Sequence, residues 1–484
     1  MIFLTIFSLE YGQQLYYQMG YSSLTYLLIA VVLFFIPYNL ILTDFVSYFR
    51  KDTGGIFSWM NYSYGFIFSS IGISIWYLSK VIYLVGSSSV SIQLSNIIYG
   101  KDISWKWHLL SLNNTETLAI IGIIYLFILT IVSRRSLKLI VKLNLIAFFS
   151  FVIINLFILL SSFTLLCLNN FHFQQPFILS HLSIYNLFHG PNKFYNSPIK
   201  VLGFLIFPIA MFGGFEAILG LIDYSKSPKQ APKVVFLCTC LIIILYIIII
   251  LLSGASSNWK EVLDVKGVNL YNLGVYIVKH QLELLMIDFG FSKIQALHIA
   301  LNINRVIAII GIVSFFNMPL MIYYPIRQSF EKISSLHIKN KLLKKNKYGI
   351  FENILYLQNS IIGILILLIG IFGNSAADIY YHILISSLIS LLIPWLCISL
   401  SYIKFKIKQP NSSSYINKKM GILIGIIVSL TLIVTISINL ITPFLDGELA
   451  YGLWQIIPII VFILIGIIVG KSLKIKKAYE KTYS

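Results

Sequence analysis

The segment AMFGGFEAILGLIDYSKSPKQAPKVV (residues 210–235) begins as a membrane-spanning helix and then departs from one. Gly213 and Gly214 stand just before the carboxylate of Glu216, in a run that is otherwise suited to hydrocarbon. A pair of glycines lets the backbone leave helical geometry, and the amides and carbonyls freed in this way must face a cavity rather than lipid. The segment therefore predicts a broken helix at membrane depth, with an ionisable group beside the break.

The composition of the chain around this segment requires lipid as its solvent. Of the 484 residues, 58% are hydrophobic and 11% are charged, and the mean hydropathy is +0.87. An ordinary soluble domain carries about 25% charged residues, so this chain cannot cover a water-facing surface of its own size. We therefore expect one polytopic membrane domain of the all-α class.

Runs of about 20 apolar residues mark membrane helices, and this rule predicts twelve spans. They lie near residues 2–19, 23–49, 64–91, 115–133, 142–168, 199–222, 233–257, 295–328, 354–372, 379–403, 418–443 and 451–470. The transmembrane domain is accordingly expected over residues 1–470, and a basic tail over residues 471–484. No cleavable signal peptide is expected, because residues 1–14 lack a basic leader and a small-residue cleavage site.

Lysine and arginine are divided unevenly between the two sets of loops that these spans define. One set holds 26 of them and the opposite set holds 8. Because loops rich in Lys and Arg stay on the cytoplasmic side, both termini are predicted to be cytoplasmic. Topology and attraction to anionic lipid also account for the net charge of +19, so nucleic-acid binding is not expected.

Few charges remain at membrane depth, and they carry the functional signal. They are Glu10 in span 1, Lys80 in span 3, Glu216 in span 6 and Arg305 in span 8. A charge at the bilayer centre costs about 2.5–3.5 kcal/mol on insertion scales, so such groups face a cavity or a partner. Two interpretations stay open, a substrate pathway and a buried ion pair that locks helices together. Arg305 lies early in its span and can also extend outward to the interface.

Span 1 carries a second candidate break, FSLEYGQQ (residues 7–14), with Ser8, Glu10 and Gly12. Spans 1 and 6 are five apart, and secondary transporters place broken helices at corresponding positions of two inverted halves. This spacing predicts a 5 + 5 inverted repeat followed by two further helices. Repeat one covers about residues 1–168, repeat two about 199–403, and the two further helices about 418–470.

Two stretches resemble signatures of the amino acid–polyamine–organocation superfamily. FFIPYNLILTDFVSYFRKDTGGIFSWMNYSYG (residues 34–65) resembles its span 2 to span 3 region, where a proline-bearing helix ends in an acidic residue before a Gly-Gly loop with a Trp. GGFEAILGLIDYSKSPKQAPKVV (residues 213–235) is similar to its span 6 signature, Gly-x-Glu followed by a proline-containing cytoplasmic loop. The likeness covers the whole chain and looks closest to the bacterial glutamate/γ-aminobutyrate antiporter-like branch.

The resemblance implies a leucine-transporter-type fold in the cell membrane that moves amino acids or related amines by alternating access, by exchange or with protons. It implies a small-molecule substrate and lipid as partners, with no cofactor, no metal and no enzymatic activity. The substrate-binding candidates on this model are Ser8, Glu10, Gly12, Lys80, Gly213, Gly214, Phe215 and Glu216. Ser314 and Asn317 of span 8 stand where such folds line a coupling-ion position.

The chain departs from the superfamily pattern at two charged positions. Glu10 stands where small neutral residues are usual, and Lys80 stands where an aromatic residue is common. An acid at the first position repels an anionic head group, and Lys80 can neutralise either Glu10 or Glu216. If spans 1, 3 and 6 meet at one cavity, these three groups give it a net charge near −1, which suits a substrate with a cationic group.

Two other classes of function stay open from the sequence. A membrane-embedded enzyme of cell-envelope sugars is also polytopic, but it is expected to carry acids and bases in a large external loop. The predicted external loop 169–198 has His172, His181 and His189 and no acid. A non-transporting membrane sensor is the other class, and it is expected to carry a soluble signalling domain, for which the loops offer no room.

Overall fold

The computed structural model describes residues 9–49, 55–178, 197–216, 230–258, 267–319, 341–373, 376–408 and 416–483, with residues 195, 265, 322–323, 326–327 and 329–330 between them. Every regular element within these residues is helical. The helices of the first third of the chain are α1 (Leu9–Met19), α2 (Ser23–Ala30), α3 (Ile36–Tyr48), α4 (Gly55–Tyr64), α5 (Phe66–Val85), α6 (Val90–Tyr99), α7 (Asn114–Ser133) and α8 (Leu137–Leu168).

The remaining described helices follow in the same order along the chain. They are α9 (Pro198–Gly203), α10 (Ile206–Ala210), α11 (Ala231–Ser256), α12 (Leu273–Asp288), α13 (Lys293–Ser314), α14 (Glu352–Phe372), α15 (Ala376–Lys408), α16 (Lys418–Leu445) and α17 (Leu449–Tyr483). A π-helical turn, Val31–Phe35, joins α2 to α3, and a 3₁₀ turn, Gly86–Ser89, joins α5 to α6. The last helix continues through the predicted tail as far as Tyr483.

Ten stretches of the described chain are long and apolar enough to cross a membrane. They are Glu10–Tyr48, Phe66–Tyr99, Asn114–Ser133, Lys138–Leu168, Lys233–Ser256, Lys293–Asn317, Glu352–Phe372, Tyr381–Lys408, Lys418–Leu445 and Leu449–Ser472. The chain is therefore a multi-pass membrane protein, and the predicted all-α fold class is confirmed.

The difference between ten stretches and twelve predicted spans arises at spans 1, 2 and 6. Glu10–Tyr48 counts as one stretch of 39 residues, yet a helix of that length measures about 58 Å against a hydrocarbon core of about 30 Å. It is interrupted at Gly20–Ser22, where Gly20 has φ +56°. Predicted span 6 is represented by the short helices α9 and α10, and residues 217–229 lie outside the described residues. The number twelve thus stays a prediction.

Three ion pairs join residues at helix ends. In each pair, both residues lie at the same predicted side of the membrane. Each pair joins helices far apart in the sequence, and the pairs are Arg134 with Glu352 at 3.7 Å, Lys200 with Asp446 at 2.9 Å, and Lys406 with Asp44. The first and third lie on the predicted cytoplasmic side and the second on the opposite side. None of these three pairs joins a basic-side loop to an opposite-side loop.

An aromatic core surrounds the break in predicted span 6. The indole of Trp395 on α15 stacks against Phe34 with a centroid separation of 5.3 Å, and Phe35 stacks against Phe212 at 3.9 Å. These rings belong to the π-helical turn after α2, to α15 and to the break itself. Large flat surfaces of this kind bury much apolar area with little loss of rotamer freedom, so they hold the break in a fixed position.

The last helix packs closely on α5, which carries the predicted site residue Lys80. A Cβ on Gly466 would lie 2.6 Å from the Ile71 Cα, and one on Gly470 would lie 2.6 Å from the Ile67 Cα. Small residues allow the backbones of membrane helices to approach in this way. α17 therefore supports α5 along its first half.

Candidate functional site

The predicted break in span 6 is present in the structure. α10 ends at Ala210, residues 211–214 are not α-helical, and helix resumes at Phe215. Gly214 has φ +116°, a conformation that L side chains rarely adopt. The Gly213 N–H donates to the Ala210 carbonyl at 3.0 Å, which closes the end of α10. The paired glycines thus produce the interruption that the sequence indicated.

Gly213 is required for a second reason, the close approach of an aromatic ring. A Cβ built on Gly213 would lie 2.0 Å from two ring carbons of Trp395. The backbone of the break therefore lies directly against the Trp395 indole, and no larger residue fits there unless that ring moves.

Glu216 is completely buried, with 0% of its surface exposed, and it bonds to the break. Its Oε2 accepts a hydrogen bond from the Gly214 N–H at 3.0 Å, and its Oε1 accepts one from the Trp76 Nε1–H at 3.4 Å. A carboxylate that accepts from a helix N-terminus is stabilised by the freed amides and by the helix dipole. The carboxyl group therefore satisfies a backbone donor that the break leaves without an intrahelical partner.

Lys80 belongs to the same cluster. It lies one turn after Trp76 on α5, with its Nζ 5.6 Å from the centroid of the Trp76 ring. Glu216 is its charged neighbour. The indole of Trp76 thus lies between two opposite charges, with its N–H on the carboxylate and its face toward the ammonium, an arrangement that aromatic quadrupoles favour. We call Trp76, Lys80, Gly213, Gly214 and Glu216 the break cluster.

Phe215, a predicted substrate-binding residue, is a core residue in this structure. Its side chain is buried and lies 5.8 Å, centroid to centroid, from the ring of Phe35. It anchors the resumed helix to the aromatic core.

A cavity of about 320 Å³ lies among α1, α5, α6, α8, α12 and α13. This volume is in the range of small-molecule sites. The structure brings three predicted site residues together in its wall, namely Glu10, Ser314 and Asn317. Its other polar lining residues are Tyr11, Gln13, Gln14, Tyr83, Ser89, Gln93, Asn96, Asn155, Tyr271 and Asn304. We call this space the central cavity.

The predicted convergence of Glu10, Lys80 and Glu216 on one cavity is not observed. Neither Lys80 nor Glu216 is among the residues that line the central cavity. The two groups meet at the break cluster instead, and Tyr83 is the residue of α5 that lines the cavity. α5 therefore contributes to both places and connects them.

Residues 9–14 of the predicted break in span 1 are helical, and its residues 7 and 8 lie outside the described residues, so a broken span 1 stays a prediction. α1 is helical from Leu9 to Met19, and Glu10 lies in its first turn. Gly12 serves close packing, since a Cβ there would lie 2.6 Å from the Ile249 Cγ2 of α11. Glycine inside a helix permits such an approach as readily as it permits a bend. Ser8 lies outside the described residues.

Glu10 is held against the first turn of α12 while its side chain faces the central cavity. A Cβ on Gly274 would lie 3.4 Å from the Glu10 Cγ and 3.8 Å from its Oε1. Glu10 is thus near the N-terminal end of α12, where the positive end of the helix dipole favours an anion. Its side chain is exposed, as a group on the wall of an open cavity is.

Sequence reasoning missed much of the polar wall of the cavity. Asn155 on α8 and Asn304 on α13 line it, and neither was predicted as a site residue. A signal was present, because each is an amide side chain in a span composed mainly of apolar residues. Buried amides, like buried charges, require partners at membrane depth.

The comparisons with known proteins agree with this architecture. The family model described as "Amino acid permease" matches residues 1–469. The chain is similar to the "Inner membrane transporter YjeM" of Escherichia coli (strain K12), with 27% identity over 477 residues that cover 94% of this chain and 91% of the relative. It is equally similar to the protein of that name from Salmonella typhimurium, with 27% identity over 469 residues, 94% of this chain and 91% of the relative.

A solved structure supports the fold. The manganese transporter of Eremococcus coleocola superposes with a TM-score of 0.50 at 12% identity, covering 97% of this chain and 93% of that one. At this identity the likeness shows the fold alone, which is of the leucine-transporter type. The predicted superfamily is likewise confirmed by the family match. With a family match over nearly its whole length, the chain is a membrane transporter and belongs to the amino acid permease family.

Proposed function

We propose that this protein is a secondary active transporter that moves amino acids or related amines across the inner membrane by alternating access. The observation that carries the proposal is the central cavity, a space of about 320 Å³ lined by polar and apolar side chains of membrane helices. Membrane proteins keep polar and ionisable groups at this depth where a substrate or ion passes. The small-molecule substrate itself is expected to occupy the cavity next to Glu10.

In this proposal, the interrupted helix at the break cluster is the element that moves during transport. Glu216 holds the Gly214 amide and the Trp76 indole at once, so it connects the interrupted helix to α5. A rotation of the interrupted helix relative to α5 has to release one of these bonds. Alternating access in folds of this kind is a displacement of one helical unit against another around a fixed site. We expect the Trp76 bond to be the one that changes.

Coupling is proposed to proceed by exchange or with protons. Glu216 is the carboxyl group beside the break, and Lys80 is its charged neighbour. We expect Glu216→Gln to flatten the dependence of transport on pH. Ser314 and Asn317, both on the wall of the central cavity, stay candidates for a coupling-ion position.

The loops and the outer helix faces indicate how the protein is oriented in the membrane and what surrounds it. We propose that both termini are cytoplasmic, because the basic residues collect on the loops of that side. Lipid is the expected environment of the outer helix faces, and no nucleic acid, cofactor or metal is expected as a partner. No enzymatic activity is proposed.

Uptake by proteoliposomes tests the proposal. The purified protein is reconstituted into vesicles preloaded with a mixture of unlabelled amino acids and amines, and entry of labelled mixtures is followed with and without a pH gradient. We expect time-dependent accumulation above protein-free vesicles. An absence of uptake and exchange for every class offered, with protein that is correctly folded, would exclude transport and would favour the membrane-embedded enzyme or the sensor.

A further inference from the structure

We infer that the loop between α6 and α7 inserts its apolar tip into the membrane, in the leaflet on the side opposite the basic loops. The tip is WHLLSL (residues 107–112), and we call it the leucine tip. Its partner in this interaction is the hydrocarbon of the bilayer. The inference stands apart from the proposed transport function, because none of the described residues that line the central cavity belongs to the leucine tip.

The leucine tip exposes apolar side chains although it lies in a connecting loop. Leu110 is 95% exposed, and Leu109 is 46% exposed. Leu110 also has φ +55°, a left-handed conformation that is sterically unfavourable for a leucine. Contacts within the described chain do not compensate for this conformation, because a side chain so exposed makes almost none. A surface outside the protein is the remaining source of stabilising contacts.

The loop lies against the face of α7 that is directed toward lipid. Ile124, Ile128 and Ile131 form one exposed helical face, since they follow one another at intervals of four and three residues. Thr117, seven residues before Ile124, belongs to the same face but is only 4% exposed. Its hydroxyl oxygen accepts a hydrogen bond from the Leu109 N–H at 3.0 Å. The leucine tip therefore continues the apolar surface that this helix presents to the bilayer.

The length of α7 places this contact at membrane depth. The helix has 20 residues, so it measures about 30 Å, which matches a hydrocarbon core of about 30 Å. Its two ends, Asn114 and Ser133, are therefore expected at the two boundaries of the core. Thr117 lies three residues inside the first boundary. The backbone of Leu109, which bonds to Thr117, thus lies at the level where the acyl chains begin.

A second helix ends at the same level. The Thr115 hydroxyl, at the start of α7, donates to the Gly370 carbonyl near the end of α14 at 2.7 Å. With 21 residues, α14 also has about the length of the hydrocarbon core. Its last residue, Phe372, is exposed, as a side chain that faces lipid is. The ends of two helices therefore indicate one boundary, and the leucine tip lies at that boundary.

The composition of the loop is that of a segment at the membrane–water interface. Lys106 stands just before the leucine tip, with its Nζ 4.8 Å from the centroid of the Trp105 ring. Residues 107–112 begin with Trp107 and carry no lysine, arginine or acid. Tryptophan and lysine are typical of the interface, and leucine is typical of the acyl region just below it. This order of side chains fits a bilayer surface better than a water-filled space.

The same loop is attached to α12, which contributes to the central cavity. The carboxylate of the buried Asp102 accepts a hydrogen bond from the Asn272 Nδ2 at 2.7 Å, and its backbone carbonyl accepts one from the Tyr276 hydroxyl at 2.7 Å. Gly274, between these two residues in the sequence, lines the cavity. The loop therefore connects the bilayer at its leucine tip to the wall of the central cavity at its beginning.

Depth-dependent fluorescence quenching tests the insertion. In a background without the four native cysteines, Leu110→Cys carries an uncharged, environment-sensitive fluorophore in proteoliposomes. Nitroxides attached to the lipid near the headgroup, midway along the acyl chain or at its end give the depth of the fluorophore, and iodide gives its exposure to water. We expect a depth of about 5–10 Å below the headgroups, which is the range of interfacial anchors, and weak quenching by iodide.

Three further labelled positions calibrate the measurement and test its cause. Ile128→Cys, on the exposed face of α7, is the control for hydrocarbon, and Lys101→Cys, exposed at the start of the same loop, is the control for water. A fluorophore at the exposed Ser111→Cys reports on the variant Leu110→Asn. Asparagine adopts positive φ more readily than leucine, so this variant keeps the backbone and removes the apolar side chain. We expect the fluorophore at position 111 to move toward the headgroups and to become more accessible to iodide.

Each outcome either supports the inference or overturns it. Quenching at position 110 by the lipid nitroxides, with protection from iodide, supports it. Quenching by iodide as strong as at position 101 overturns it. Protection from both quenchers also overturns it, because a protein surface then covers the tip, and disulfide formation between copies of Leu110→Cys would identify that surface as a second copy. An unchanged depth at position 111 in folded Leu110→Asn shows that the leucine does not hold the tip in the membrane, which overturns it as well.

Discussion

A methyl group at position 213 has no room, because a Cβ there would lie 2.0 Å from two ring carbons of Trp395. We expect Gly213→Ala to lower the stability by about 1–3 kcal/mol, the usual effect of overpacking. The measurement is the Tm of the purified protein in detergent. Gly363→Ala on α14 is the matched control, since a Cβ there meets nothing within 4 Å. Equal Tm values for the two variants would contradict the close packing at the break.

Lys80 is expected to depend on Glu216 rather than on Glu10. Removing one member of a buried charge pair costs at most about 3–5 kcal/mol, because the other charge loses its compensation. Lys80→Met should therefore lower Tm and uptake, and Lys80→Met with Glu216→Gln should restore part of the stability. Lys80→Met with Glu10→Gln is the control and should restore none. If Glu10→Gln restored the stability and Glu216→Gln did not, Lys80 would pair with Glu10 and not with Glu216.

At the scale of elements, a buried ion pair between Asp44 and Lys406 connects α3 to α15. Asp44 is 1% exposed and Lys406 is 2% exposed, and the Tyr402 hydroxyl donates to the same carboxylate oxygen at 2.8 Å. The Lys406 Nζ also donates to the Ile416 carbonyl at 2.7 Å. The pair therefore ties α3 and α15 to the segment that leads into α16.

Breaking this pair should cost far more than breaking an exposed one. We expect Lys406→Met to lower the free energy of unfolding by about 3–5 kcal/mol, and Asp44→Asn with Lys406→Met to recover most of it. Arg134→Met, at the partly exposed pair with Glu352, should cost at most about 1 kcal/mol. Denaturant titration of the three variants measures this. A Lys406→Met variant no less stable than Arg134→Met would mean that the pair is not closed in solution.

The break in span 6 could be predicted from its residues, whereas Gly12 in span 1 lies within a continuous helix and does not mark a break. In span 6, Gly213 and Gly214 are adjacent and precede an acid. Two adjacent glycines and a charge destabilise a continuous membrane helix, so this combination indicates a break. In span 1, Gly12 is a single glycine, and its neighbour across the interface, Ile249, is 237 positions away in the sequence. Glycine is favoured both where a helix bends and where another helix approaches closely. Only the packing around the glycine shows which of the two applies.

At the scale of the molecule, the basic set of loops is expected to lie on the cytoplasmic side of the membrane and the other set on the opposite side. In a background without the four native cysteines, His108→Cys and Lys347→Cys introduce single thiols at exposed positions on the two predicted sides. A membrane-impermeant maleimide added to intact cells should label position 108 and spare position 347. Labelling at both positions from outside would contradict the predicted topology, and labelling at 347 alone would invert it.

The whole-molecule architecture was available from the sequence, and the composition of the central cavity was not. Hydrophobic runs determine helices in lipid because every backbone group must be paired within its own segment. The cavity, by contrast, depends on which faces of α1, α8, α12 and α13 meet. Asn155 and Asn304 come together there from positions 149 residues apart, and nothing local to either one indicates it.

Blocking the central cavity is the most direct test of the claim that substrate passes through it. Ser314→Cys, in the background without native cysteines, places a thiol on the cavity wall with little change of volume, and Ser472→Cys on the exposed face of α17 is the control. Uptake by proteoliposomes is measured before and after a bulky methanethiosulfonate reagent. We predict that modification abolishes uptake in Ser314→Cys alone and that excess substrate protects it. Full uptake by protein modified quantitatively at position 314 would contradict the account.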